Sequence, residues 1–340
     1  MNKPHLASVE ADLPAAPPVP VALPDIAAAA VRIAGRVART PLVASPSLSR
    51  LCGQPVHLKL ETRQSIGAFK IRGAMNAVLA LGEDQRRRGL VTASTGNHGR
   101  AVAYAARQLG LRATICMSAL VPANKVEAIR SLGAEIRIVG RSQDDAQAEV
   151  DRLVVEHGLT PIPPFDDAAV VAGQGTIGLE LVEDLPELAC VLIPLSGGGL
   201  AAGIAAAVGA LRPSARIVGI SMERGAAMAA AIAAGRPVAV AEEETLADSL
   251  GGGIGLSNQV TFALCRDLLD EVVLLSEAEI AAGIRHAARE EGEIVEGAGA
   301  VGIAALLAGK VSPQGPTAII VSGGNIDEVL HRRILSGAAA

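Results

Sequence analysis

The feature that most constrains this chain is an alternation. From about residue 90, short β-branched or apolar runs alternate with stretches of helical periodicity. "LVTAS" is followed by a helix through "GRAVAYAARQLG", "ATICM" by a helix through "ANKVEAIRSLG", and "EIRIVG" by a helix from Asp144 to His157. A longer series follows "TPIPPFDD". It has strands near "CVLIPL", "RIVGIS", "EVVLLS" and "TAIIVS", and helices in "LAAGIAAAVGALR", "AEIAAGIRHAAREEG" and "AVGIAALLAG". Strand and helix in strict turn predict an α/β fold. Gly110 in "ARQLGLR" and Gly133 in "RSLGAE" stand where helix C-caps are needed for tight returns to the next strand. No repeat of fixed period is visible.

Two units are expected: a small α/β domain over residues 85–160, and a large domain formed by 25–84 and 161–340. Residues 1–24 are rich in Pro and Ala and carry Glu10 and Asp12 where a signal peptide needs an unbroken apolar segment, so they read as a disordered lead. Trp is absent and aromatic residues make up 1% of the 340, so the core must be built from Ala, Val, Leu and Ile. Small aliphatic side chains suit parallel sheets covered by closely packed helices. The formal charge of -5 and the lack of an aromatic-and-basic stripe argue against a nucleic-acid partner. The alanine-rich runs are broken by Arg, Gly or Pro before membrane length, so no membrane partner is expected. Cys52, Cys116, Cys190 and Cys265 form no C-x-x-C pair and read as free thiols in a reducing, cytoplasmic compartment.

Four short stretches can carry chemistry. In "SIGAFKIRGAMNAV", Lys70 follows Gly67, Ala68 and Phe69; such a lysine is either a snorkelling surface residue or one whose amine is used. "PLSGGGLAAG" runs from a strand straight into a helix through Gly197, Gly198 and Gly199, where backbone amides can converge on a phosphate. The plain alternative is a tight turn. Dinucleotide binding fits poorly, because Gly197, Gly199 and Ala202 match only a loose G-x-G-x-x-A and Ser221 ends the next strand where an acid is wanted; no G-K-[ST] is present. "TASTGNHGR" presents Ser94, Thr95, Gly96, Asn97 and His98 where a strand meets a helix, either as a ligand loop or as a polar cap. In "VSGGNID", Ser322 could present a hydroxyl before a glycine turn.

Taken in order, "GAFKIRGA", "STGNHG", "AGQGTIGLE", "SGGGL" and "SGGN" resemble the pyridoxal-phosphate enzymes of the second fold type, the tryptophan synthase β-like group that holds the serine/threonine dehydratases and serine racemases. The likeness runs from about residue 25 to 335, and "STGNHGRAVAYAARQLG" to "GRSQDDAQ" is similar to the hydroxyectoine utilization dehydratases. The resemblance implies that Lys70 carries pyridoxal 5'-phosphate as an imine and takes the α-proton once freed. By the same match Phe69 lies near the ring, Asn97 bonds its phenolic oxygen, and Gly197, Gly198, Gly199 and Leu200 cradle the phosphate. Ser322 faces the pyridine nitrogen, where a hydroxyl leaves the ring a weaker electron sink than an aspartate would. Ser94 and Thr95 match the loop that takes the substrate carboxylate.

Three departures matter. Ser196 stands where dehydratases commonly start the phosphate loop with glycine, and it adds a hydroxyl donor there. Thr95 replaces the serine that acts from the opposite face in the racemase. Ser221, with Glu223 two residues on, replaces the acid that binds a divalent cation in many members, so no metal is expected. The implied activity is ammonia-lyase chemistry: loss of water from a β-hydroxy amino acid or a hydroxyectoine-derived substrate, through an aminoacrylate-type intermediate. A racemase or isomerase of the same substrates and a non-catalytic pyridoxal-phosphate or amino-acid binding protein are the alternatives, the last opposed by Lys70, Asn97 and Ser322 together. The partner is a small amino-acid-like molecule, and a homodimer or higher homo-oligomer is the family expectation.

Overall fold

The runs Cys190–Pro194 and Thr317–Val321 are buried at every position, as strands covered on both faces must be. A computed structural model describes residues 20–94, 96–121 and 123–337, with Ala123 and Asn124 described through their backbone only. The first part of the chain forms α1 (Leu23–Ile33), β1 (Leu42–Ala44), α2 (Pro46–Cys52), β2 (Val56–Leu60), α3 (Lys70–Ala80) and α4 (Glu83–Arg88). Next come β3 (Leu90–Ala93), α5 (Asn97–Leu109), β4 (Ala113–Met117), α6 (Ala123–Arg130), β5 (Glu135–Ile138), α7 (Gln143–His157) and β6 (Thr160–Pro161). There follow α8 (Ala168–Asp184), β7 (Cys190–Pro194), α9 (Gly199–Leu211), β8 (Arg216–Met222), α10 (Ala227–Ala234) and α11 (Thr261–Leu268). The chain ends with β9 (Glu271–Leu275), α12 (Glu277–Glu290), α13 (Gly297–Leu307), β10 (Thr317–Val321) and α14 (Glu328–Leu335).

The strands make two sheets: a six-stranded sheet ordered β1-β2-β10-β7-β8-β9 and a four-stranded sheet ordered β5-β4-β3-β6. Every pairing is parallel except that of β1 with β2. Alternate residues of a strand face opposite sides. Val191, Ile193, Ala318 and Ile320 accordingly join a core with α8 and α9, whereas Leu192, Ile319 and Val321 join one with α12 and α13. Each strand read from the sequence is present. Gly110 caps α5 in the left-handed region as expected, and Gly133 also has positive φ, in the turn after α6. The cysteines are unpaired, with Cys116, Cys190 and Cys265 buried.

One difference has a physical cause. The lead expected to reach residue 24 is ordered by Val21, which is 1% exposed in the core that holds α8 and α9, and α1 begins at Leu23 with Pro24 in its first turn. Residues 1–19 lie outside the described residues. Helix α3 touches both units: its Ile71, Ala74, Met75 and Val78 share a core with Leu90, Val102 and Ile115 of the four-stranded sheet's unit and with Val170 of α8.

Helix α3 is held against α8 by two devices. A Cβ on Gly73 would lie 2.8 Å from the Val170 carbonyl, and one on Gly173 would lie 2.7 Å from the Gly73 Cα, so the helices meet backbone to backbone. The glycines of "AGQGTIG" are thus a packing surface. Beside this crossing Arg72, 1% exposed, binds Glu61 through Nε at 2.9 Å and Nη2 at 2.8 Å, and Glu180 through Nη1 at 2.6 Å and Nη2 at 2.9 Å. Lys59, also buried, reaches Glu180 at 2.6 Å. Burial works to raise the Glu61 pKa, but the charge and hydrogen bonds of Arg72 outweigh it and hold the carboxyl below its ordinary value.

Candidate active site

The segment ahead of Lys70 is laid across the end of β10. Phe69 N–H donates to the Ser322 carbonyl at 3.0 Å, Gly324 N–H donates to the Gly67 carbonyl at 2.9 Å, and Ala68 bridges to Gly323. Gly67 has a φ of 73°, so the turn that brings the lysine here suits glycine. Lys70 therefore starts α3 beside Ser322, which is 2% exposed. The same cleft is walled by Phe69, Asn97, Phe165, Ser196, Gly197, Gly198, Gly199, Leu200, Leu250, Glu296 and Ser322.

Nine of the eleven residues singled out from sequence as site candidates thus line one cleft: Phe69, Lys70, Asn97, Ser196, Gly197, Gly198, Gly199, Leu200 and Ser322. Ser94 is set apart from that lining, at the end of β3, where its Oγ accepts from the Gly96 N–H at 3.4 Å. Thr95 lies outside the described residues.

Lys70 is half-buried, and its Nζ donates to the Pro164 carbonyl at 2.8 Å while standing 5.3 Å from the Phe69 ring centre. Burial pushes its amine down to about 8, against the opposing pull of the Glu296 charge. An amine so placed gives up its proton far more easily than an ordinary lysine, which is what a nucleophilic lysine needs. The glycine loop joins β7 to α9, with Gly198 at φ 89° as the N-cap of the helix. The first amides of a helix have no carbonyl of their own helix to bind, so the start of α9 presents donors and the positive end of its dipole. Phe165 packs over the loop so closely that a Cβ on Gly197 would come within 2.3 Å of its ring.

Sequence reasoning missed Glu296. It is 5% exposed, caps α13, and accepts from Asn97 Nδ2 at 2.8 Å. Burial pushes its carboxyl up to about 7, with the Asn97 hydrogen bond opposing. Its only sequence signal is a lone acid at the head of the apolar helix "GAGAVGIAALL". His98, read as a loop donor, is turned inward. Its Nε2 lies 2.8 Å from the Ile162 carbonyl, so that nitrogen carries the proton, and burial followed by the Lys70 charge pushes its pKa down to about 3. Away from the cleft, Ser221 Oγ meets the Met222 sulfur at 3.3 Å and Glu223 is engaged by Lys310 at 3.3 Å.

Similarity to known proteins agrees with this geometry. The family described as pyridoxal-phosphate dependent enzyme matches residues 33–323. A protein of Sinorhizobium fredii provisionally named a threonine dehydratase is 61% identical over 318 residues, 93% of this chain and 96% of that relative. An L-threonine ammonia-lyase of Thermotoga maritima is 39% identical over 317 residues, 93% of this chain and 78% of its own length. The structure of maize serine racemase superposes with a TM-score of 0.87 at 35% identity, covering 93% of this chain and 97% of that one. A lysine-bearing cleft under a glycine loop, on a chain matched over most of its length, makes this protein a member of the pyridoxal-phosphate dependent enzymes, in their threonine dehydratase and ammonia-lyase family of the second fold type.

Proposed function

We propose that the protein removes water from a β-hydroxy α-amino acid of the threonine class and releases ammonia and a 2-oxo acid. The observation that carries this reading is Lys70, an amine with its pKa lowered to about 8, facing the glycine loop and Ser322 across one cleft. The residues present fit pyridoxal phosphate: a primary amine for its aldehyde, helix-start amides for its phosphate, an amide side chain and a hydroxyl for the polar edges of its ring. When bound, that cofactor supplies an electron sink for the carbanion at the substrate's α-carbon.

The chain's own residues do the rest. Gly197, Gly198, Gly199 and Leu200, with the Ser196 hydroxyl, hold the phosphate through backbone donors at the start of α9. Lys70 Nζ takes the α-proton, a role suited to an amine whose pKa lies near working pH. Ser322 is uncharged, so it leaves the ring nitrogen unprotonated and favours departure of the β-hydroxyl. Phe69 and Phe165 line the cleft with apolar surface that would keep water from a bound substrate. Ser94, with Thr95, serves the substrate carboxylate at the carboxyl end of β3, the edge of an α/β sheet where ligands bind. The two sheets would be the cores of two domains, with α3 packed between them. A homo-oligomer is the proposed assembly, which light scattering checks. Among the described residues no helix is long and apolar enough to cross a membrane.

The deciding experiment incubates the purified protein with threonine, serine, other β-hydroxy amino acids and hydroxyectoine-derived compounds, and scores ammonia, oxo acid and change of chirality. Ammonia and oxo acid in equal amounts are expected. Inversion at the α-carbon without ammonia would overturn the lyase reading in favour of a racemase.

A further inference from the structure

Behind the cleft four side chains form one directed chain of hydrogen bonds. Arg100 Nη1 donates to Asn325 Oδ1 at 2.7 Å, Asn325 Nδ2 donates to Asn97 Oδ1 at 2.6 Å, and Asn97 Nδ2 donates to Glu296 Oε1 at 2.8 Å. Asn325 Nδ2 also donates to the Ile66 carbonyl at 2.9 Å, and the Asn325 backbone bonds Glu296. The residues come from α5, the turn after β10 and the start of α13. "SGGN" thus contributes a second working residue beyond Ser322.

A carboxamide can be turned end for end with little change of shape, so its direction is set only by what its partners can do. A guanidinium donates only; a carboxylate and a carbonyl accept only. With Arg100 and Ile66 at one end and Glu296 at the other, each amide in between has a single satisfied orientation. Asn325 must offer oxygen to Arg100, and Asn97 must offer nitrogen to Glu296. The second N–H of Asn97 is then left for the cleft.

We propose that Asn325, backed by Arg100 and opposed by Glu296, is a positioning residue that locks the Asn97 carboxamide so that it presents a hydrogen-bond donor, never an acceptor, to the cofactor's phenolic oxygen. The inference rests on the cofactor reading of the cleft. It explains why a buried acid is kept beside Lys70: only an acceptor at that end forbids the wrong orientation of Asn97. Glu296 is faced by Lys70 of α3, Arg100 of α5, Lys125 of α6 and Asp248.

The test reverses the chain. Asn325→Asp keeps size and the Arg100 partner but accepts only, so Asn97 must turn its nitrogen to position 325 and its oxygen to Glu296, where two acceptors meet. Adding Glu296→Gln supplies a donor at that end of the reversed chain, while the Ile66 carbonyl, which loses the Asn325 Nδ2 donor, is left unpaired in both variants. Holoenzymes are compared at about pH 8.5, above the Glu296 value of about 7, by thermal midpoint, visible absorption band and cofactor dissociation constant. Asn325→Asp is expected to lower the midpoint, shift the band and weaken cofactor binding about tenfold, the worth of one hydrogen bond to a charged acceptor. The double variant is expected to recover the part of the midpoint lost at Glu296 while the band and the weakened binding persist, because Asn97 still points the wrong way. Arg100→Met, which leaves the Ile66 carbonyl holding Asn325, moves the same readouts less. Recovery of band and affinity together with the midpoint would reduce the chain to a stability feature and overturn the proposal, as would an unshifted band in Asn325→Asp. A wild-type protein without a borohydride-sensitive visible band would instead sink the cofactor reading on which the proposal rests.

Discussion

Arg72→Met isolates what holds the Lys70 helix in place. The guanidinium makes four hydrogen bonds to two carboxylates, of which Glu61 is 0% exposed. Methionine fills most of the volume and supplies no donor. Glu180 keeps Lys59 at 2.6 Å, but Glu61 retains only the neutral donors Thr40 and Gln64. Removing one partner of a buried pair costs about 3–5 kcal/mol, because the other charge stays buried without compensation. For a chain of this length that is a fall in thermal midpoint of roughly 4–7 °C. The sign with pH follows from the depressed Glu61 pKa: its contribution is present above the ordinary carboxylate value of 4.5 and is lost as pH falls through the lower folded value. The difference between wild type and variant, measured by denaturant titration, should therefore be full at neutral pH and shrink in acid. A difference under about 1 kcal/mol at neutral pH, well below the cost of an unpaired buried charge, would refute the reasoning. So would a large difference that persists undiminished below the folded value.

Four further outcomes are expected. Lys70→Ala abolishes turnover while equilibrium dialysis still detects pyridoxal phosphate, because the phosphate and ring contacts are separate from the amine; an active alanine variant would exclude Lys70 from the chemistry. In the cofactor-free protein, an amine with a folded pKa of about 8 and an ordinary value of 10.5 costs stability while protonated, so stability should rise with pH across that interval, and Lys70→Met should remove that rise in melting experiments. Gly198→Ala should destabilise by about 1–2 kcal/mol or more, since φ is 89° and the new Cβ would sit 2.7 Å from Met228 Cε and 2.9 Å from Thr261 Cβ; cofactor titration should show weaker binding as well. Turnover and thermal midpoint should be indifferent to chelator and magnesium, because Ser221 carries no charge and Glu223 is paired with Lys310; a magnesium-dependent rise abolished by Glu223→Ala would show a cation site in shifted register.

Most elements, and the short stretches that carry nine of the cleft's lining residues, were legible in the sequence because both are written locally. A run such as "TAIIV" states that a strand is buried, and Gly197, Gly198 and Gly199 state that backbone must come close to something. Periodicity reports which face is covered, not by what. Nothing in that pattern says that β10, the last strand of the chain, lies between β2 and β7, yet this insertion brings Ser322 beside Phe69 and Lys70. The same blindness hid Arg72, a buried clamp on two acids. It hid Glu296 as well, whose partner Asn97 is 199 residues away in the chain. A charged side chain looks the same in sequence whether it ends in water or against its counter-charge. The difference is decided by desolvation and by which groups the fold delivers to within hydrogen-bond reach, and only the tertiary structure makes that delivery.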